Sequence, residues 1–87
     1  MFPKFYFVYV LRSLKDGLFY IGFSENVENR LKEHNDGRNI STKNRRPFEI
    51  LFYEAFRTKH DALRREAYFK TTKGKATIRL MLKEYLK

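Results

Sequence analysis

Apolar residues fall into separated blocks whose spacing changes along the chain. Phe5-Tyr6-Phe7-Val8-Tyr9-Val10-Leu11 is an aromatic and β-branched run of strand length. The turn signal Lys15-Asp16-Gly17 follows, and then Leu18-Phe19-Tyr20-Ile21-Gly22, so the short polar connection predicts an antiparallel hairpin. Ser24 or Asn26 can cap a helix running to about Asn35, where Asp36-Gly37 ends it. From Arg38 to Pro47 there is no apolar period, which predicts a basic surface loop. Phe48 to Phe56, rich in Phe, Ile, Leu and Tyr, predicts a third strand buried on at least one side. Thr58-Lys59-His60-Asp61 resembles a capping box opening a second helix to about Lys70. Lys73-Gly74-Lys75 breaks the pattern. A final helix over about Thr77 to Leu86 places Ile78, Met81, Leu82 and Tyr85 on one core-covering face. The predicted order is β-β-α-β-α-α.

Composition narrows the class. A chain of 87 residues supports one compact core, so residues 1–87 read as a single domain. Hydrophobic content of 43%, with 17% aromatic, excludes a disordered basic tail. No cysteine is present, which excludes a disulfide framework, a zinc ribbon and thiolate catalysis, and neither histidine sits in a metal-finger spacing. That composition suits an intracellular, cytoplasmic setting. The start, Met1 to Phe7, lacks a basic region followed by a long apolar run, and no stretch approaches the ~18 apolar residues of a membrane span. A net charge of +9 on a folded domain favours polyanionic partners, with DNA or RNA first, because each cation near a phosphate releases condensed counterions. Charge selects a partner class and leaves the activity open.

Activity has to come from residues that break the pattern. At about 100° per residue, Val27 and Leu31 define the inward stripe of the first helix, and Arg30 and His34 project into the same arc. On the second helix Glu66 falls inside an arc bounded by Ala62, Leu63, Ala67 and Phe69, so its carboxylate points toward the core or a cleft edge. A structural ion pair between Glu66 and Arg30 and a functional site fit these positions equally well. A lone helical histidine such as His34 is more often a hydrogen-bonded filler than a catalyst. Tyr9 and Tyr20 read as ordinary cross-strand packing residues, and His60 as surface.

A wider comparison shifts this balance. Phe7-Val8-Tyr9, ten intervening residues, Tyr20-Ile21-Gly22, then Arg30, His34 and Glu66 in that order resemble the GIY-YIG nuclease superfamily over nearly the whole chain. The nearest resemblance is to the small stand-alone bacterial members related to the amino-terminal nuclease domain of the excision nuclease C subunit. It implies an α/β (α+β) domain with a three-stranded, largely antiparallel sheet flanked by helices. It also implies divalent-metal-dependent hydrolysis of DNA phosphodiester bonds with one Mg²⁺ or Mn²⁺, structure-selective and related to repair. On that resemblance Glu66 is the metal ligand, and such ions are commonly held through one or two carboxylates plus waters and substrate phosphate. Arg30 clamps the scissile phosphate. Tyr9 activates water, Tyr20 positions water at the metal, and His34 bonds phosphate or Tyr9. Arg38, Lys43, Arg45 and Arg46 in the loop, with Lys70, Lys73, Lys75 and Arg79 around Gly74, are the expected phosphate contacts. Phosphate contact does not itself exclude RNA.

Three features depart from the family pattern. Phe7 replaces the glycine of the first tripeptide, Phe23 stands where the excision nucleases often carry lysine, and no asparagine follows Glu66. The first is tolerable because the catalytic group is the tyrosine; Phe23 and the missing asparagine support an alternative, a catalytically weak or inactive nucleic-acid-binding module. The retained Tyr, Arg and Glu set argues for the enzyme. Specificity is then expected from DNA shape, a homodimer or a protein partner.

Overall fold

The computed structural model describes residues 2–87; Met1, included in the single-domain expectation, lies outside them. The elements are β1 (Tyr6–Ser13), β2 (Phe19–Ser24), α1 (Val27–Asn35), a 3₁₀ turn (Lys43–Arg45), β3 (Phe48–Phe56), α2 (Lys59–Phe69) and α3 (Thr72–Met81). The expected order and α+β class hold. Both β2 and β3 pair antiparallel with β1, giving a three-stranded sheet in the order β2-β1-β3 with β2 at one edge.

Strand alternation divides the core in two. Val8, Val10 and Ile21 face α2 and α3, where they pack with Ala62, Phe69 and Ile78. Tyr9, Leu11 and Phe48 occupy the opposite face, with Tyr20 and the α1 residues Val27 and Leu31 against them. A sheet with helices on both faces thus presents an edge strand, β2, flanked by α1 on one side and by α2 on the other.

Local chemistry explains the helix starts. Ser24 bonds both backbone groups of Asn26 at 2.9 Å, and Asn26 itself caps α1 by accepting the Asn29 N–H at 3.0 Å. Thr58 caps α2 by accepting from the Asp61 N–H. The third helix differs from expectation. It begins at Thr72 and ends at Met81, so Lys73-Gly74-Lys75 lies inside its first turn. Thr71 supplies the cap, accepting the Gly74 N–H at 2.9 Å. Gly74 is there for contact: a Cβ would run into the Tyr68 carbonyl and the Phe69 Cα, which is how α3 folds back directly on the end of α2. Of the expected face, Ile78 is buried and Leu82 packs against the core, whereas Met81, the last helical residue, and Tyr85, beyond the helix, are exposed. Among the described residues no helix is long and apolar enough to cross a membrane.

Candidate active site

The hairpin register builds the first half of the site. Tyr9 pairs with Gly22 and Leu11 with Tyr20, and both phenols lie on the α1 side of the sheet. The Tyr9 ring passes directly over Gly22, and any Cβ at that position would overlap the phenol oxygen and ring. Glycine on the edge strand therefore lets Tyr9 extend across β2. The two phenol rings lie 6.4 Å apart.

Helix α1 delivers Arg30 and His34 one turn apart. His34 is 0% exposed, with the Tyr20 ring edge-on at 4.8 Å and the Phe48 ring at 5.8 Å. Its Nε2 is 3.0 Å from the Tyr9 hydroxyl and its Nδ1 is 2.8 Å from the Thr42 hydroxyl. Both ring nitrogens are satisfied, so His34 is a hydrogen-bonded core histidine that also joins Tyr9 to the basic loop. The side chain of Arg30 is 42% exposed and opens onto a shallow cavity of about 290 Å³, lined also by Phe23, Asn29 and Glu33.

The Glu66–Arg30 pair anticipated from the helical positions is not formed. Arg30 Nε lies 3.5 Å from the Glu33 carboxylate, and Glu66 lies 3.2 Å from Lys70 Nζ. Burial is the main reason the Tyr9 phenol is pushed well above its ordinary value of 10, followed by Tyr20, with Arg30 pulling it down and Glu66 and Glu33 pushing it up. Tyr9, Tyr20 and His34 are thus in mutual contact on the α1 face of the sheet, with Arg30 one turn before His34, while Glu66 stands on α2, which packs against the other face. Burial also holds His34 below its ordinary value of 6.5, with Arg30 lowering it further and Glu33 opposing.

The donor set suits one kind of ion. Glu66 has a side chain 19% exposed, so its carboxylate can meet both protein and solvent. Among the described residues no group of three or more His, Cys, Asp or Glu could hold a metal. A caged Zn²⁺ or Ca²⁺ site does not fit that set, whereas Mg²⁺ or Mn²⁺, which keeps waters and is satisfied by one or two carboxylates, fits Glu66.

The basic residues divide by their partners. Arg38, Lys43, Arg46, Lys70, Lys73, Lys75 and Arg79 are exposed. Arg45 is tied down: its Nε is 2.7 Å from the Asp16 carboxylate, and its guanidinium also donates to the Leu18 and Phe19 carbonyls. This pairing fastens the loop to the hairpin turn and competes with the phosphate contact expected of Arg45. It also brings Arg45 beside Lys75 and Arg79, around a cavity of about 490 Å³ that Asp16 and Phe19 help to line. Two basic groups far apart in sequence therefore share one groove.

Two contributors escaped the sequence reading. Thr42 sits in a segment without apolar period, so nothing marks it as inward-facing. Glu33 lies on the outer face of α1 by helical arithmetic, and its partner Arg30 is the signal that could have found it. Phe23, in place of the family's lysine, is a packing residue whose ring stacks on Tyr6 at 6.3 Å.

The chain is similar to known proteins over most of its length. Residues 5–79 match the family described as GIY-YIG catalytic domain. The UPF0213 protein YazA of Bacillus subtilis is 44% identical over 66 residues, covering 75% of this chain and 66% of that protein. The UPF0213 protein SSP2268 of Staphylococcus saprophyticus is 35% identical, with 87% of this chain and 93% of that protein aligned. The solution structure of the UPF0213 protein BH0048 from Bacillus halodurans is similar at 31% identity and a TM-score of 0.55, covering 88% of this chain and 84% of that one. The chain belongs to the GIY-YIG catalytic-domain family and, within it, is related to the UPF0213 proteins.

Proposed function

We propose that the protein is a divalent-metal-dependent endonuclease that hydrolyses DNA phosphodiester bonds. One observation carries the reading: the buried contact between Tyr9 and His34, in a chain that also keeps a half-exposed arginine one turn earlier on α1 and a partly exposed carboxylate on α2. A buried phenol needs a hydrogen-bond partner in any case, and an imidazole is one that can also take its proton.

Each side chain then has a task. Tyr9 takes a proton from the attacking water at Oη while its own passes to His34 Nε2, so no free phenolate has to form in a buried site. The Arg30 guanidinium matches the scissile phosphate and offsets the charge that grows on it. Tyr20, half-buried beside His34, orients water, and Glu66 would hold the ion. When bound, Mg²⁺ or Mn²⁺ supplies Lewis-acid stabilisation of the phosphate oxygens. The exposed cations of the loop and of α3 bind backbone phosphate, which fixes position without reading bases. Selectivity therefore falls on DNA structure, as in repair, with a second copy or a protein partner adding to it. The +9 charge and the absence of cysteine suit work in the cytoplasm.

The test is cleavage of end-labelled linear, flap, branched and single-stranded DNA with Mg²⁺, Mn²⁺ or chelator. Metal-dependent cutting of one structure over the others is expected. Binding to all of them without cutting of any would leave a nucleic-acid-binding module.

A further inference from the structure

The basic loop turns one side chain inward. Thr42 is 0% exposed, between neighbours that face solvent, and its hydroxyl lies 2.8 Å from His34 Nδ1. A threonine hydroxyl has one proton to give and lone pairs to receive. The same Oγ1 lies 3.4 Å from the Asn39 carbonyl, a group that only accepts. With the threonine proton turned to Asn39, the lone pair facing His34 receives Nδ1–H; the reverse arrangement would leave the buried Tyr9 O–H, whose hydrogen-bond partner among the described residues is His34, with no acceptor. Burial keeps the imidazole neutral, so one nitrogen carries the ring proton and the other is bare. With Nδ1 protonated, Nε2 presents its lone pair to the Tyr9 hydroxyl 3.0 Å away.

We propose that Thr42 is a positioning residue that fixes His34 in the Nδ1–H tautomer, making Nε2 the atom that receives the Tyr9 proton. The catalytic consequence rests on the nuclease reading; the tautomer does not. In the step itself the Tyr9 O–H bond breaks and an Nε2–H bond forms, while Oη gains the proton of the attacking water. The imidazole becomes imidazolium as the hydroxide adds to phosphorus. The departing oxygen takes a proton from solvent, and the imidazolium gives its own back to Tyr9 Oη as Oη releases the water-derived proton to solvent, restoring neutral His34 and Tyr9. In the opposite tautomer Nε2–H would donate to the Tyr9 oxygen and could accept nothing.

The loop that carries Thr42 is held in place at several points. Ser13 donates to the Arg45 carbonyl at 2.6 Å, and the Asn35 side chain accepts the Phe48 N–H at 2.7 Å and donates to its carbonyl at 3.1 Å. The Thr42 N–H bonds the same Asn39 carbonyl at 3.1 Å. The hydroxyl is thus aimed by backbone that is itself fixed, as a positioning group requires.

The experiment reads the tautomer directly. Two-bond proton–nitrogen correlation spectra distinguish protonated from bare imidazole nitrogens, and a His60→Gln background leaves His34 as the one histidine. The wild-type ring should show Nδ1 protonated and Nε2 bare. Thr42→Val, of nearly the same shape, should move the proton to Nε2 and slow cleavage on the order of 10- to 100-fold with DNA affinity unchanged. Thr42→Ser should restore both. An Nε2–H ring in the wild-type spectrum overturns the proposal even if the valine variant does not fold, and so does an unmoved tautomer in a folded Thr42→Val protein. Lack of any cleavage by the wild type overturns the catalytic role shared with the nuclease reading, while the spectrum still decides what Thr42 does to the ring.

Discussion

The Tyr9 hydroxyl and His34 Nε2 meet at 3.0 Å across 25 positions of sequence, inside the protein, with residue exposures of 1% and 0%. The contact joins the central strand to α1 and is the point on which the proposed chemistry turns.

Removing one phenol oxygen should separate the two tyrosines. Tyr9→Phe keeps the ring over Gly22 but leaves a buried imidazole nitrogen unpaired, costing about 1–3 kcal/mol of stability. Cleavage should fall by roughly 10²- to 10⁴-fold, the usual worth of a positioned proton-transfer group. Tyr20→Phe should lose less, because Tyr20 meets His34 through its ring edge. Single-turnover rates beside thermal melts check this, and a larger loss in Tyr20→Phe would exchange the roles.

Acidification should weaken the fold through His34. Its folded value lies below the ordinary 6.5, so as pH drops through about 6.5 the unfolded chain takes up a proton that the folded ring resists. Stability is full above that range and declines below it. Asp16, held down to about 2 mainly by the Arg45 hydrogen bond, and Glu25 and Asp61, lowered by Lys4 and Thr58 respectively, lose their contributions only as pH falls below the ordinary carboxylate range near 4. Melting temperatures from about pH 7.5 to about pH 5 should therefore fall in the wild type and stay flatter in His34→Gln.

The groove cations should be separable from the structural one. Replacing both Lys75 and Arg79 by alanine removes two exposed charges, so the slope of log affinity against log salt should drop by roughly 2. Stability should hardly change. Arg45→Ala should instead lower the melting temperature, because it frees the Asp16 turn from the loop. Salt titrations of DNA binding beside thermal melts distinguish the two effects.

Gly74→Ala should be costly although alanine favours helix. The added Cβ meets backbone, which cannot rotate away, so a loss of about 1–3 kcal/mol or more is expected. Urea denaturation measures it, and Ala-like stability at Gly74 would contradict the close α2–α3 junction.

Much of this architecture can be read along the chain, and the exceptions share a cause. The hairpin and α1 follow from local runs and caps, and Arg30 and His34 stand out because they occupy an apolar arc. Gly74 reads as a break because glycine usually ends a helix, whereas here the Thr71 cap starts one and a tertiary contact excludes any side chain. The Arg45–Asp16 pair spans 29 positions and the inward turn of Thr42 depends on loop backbone, and neither leaves a periodic trace. The half-buried setting of Glu66 agrees with its place in an apolar arc, but its pairing with Lys70 rather than Arg30 depends on how α1 and α2 sit against the sheet.

The most direct test of the account is the cleavage rate of Glu66→Gln against wild type at matched DNA occupancy, with Mg²⁺ or Mn²⁺ present. The substitution removes the carboxylate charge and keeps the shape at a partly exposed position, so fold and binding should persist while cutting is lost by on the order of 10²-fold or more. Equal cutting by both proteins would contradict a metal held at Glu66. Equal silence, with DNA bound, would contradict the nuclease itself.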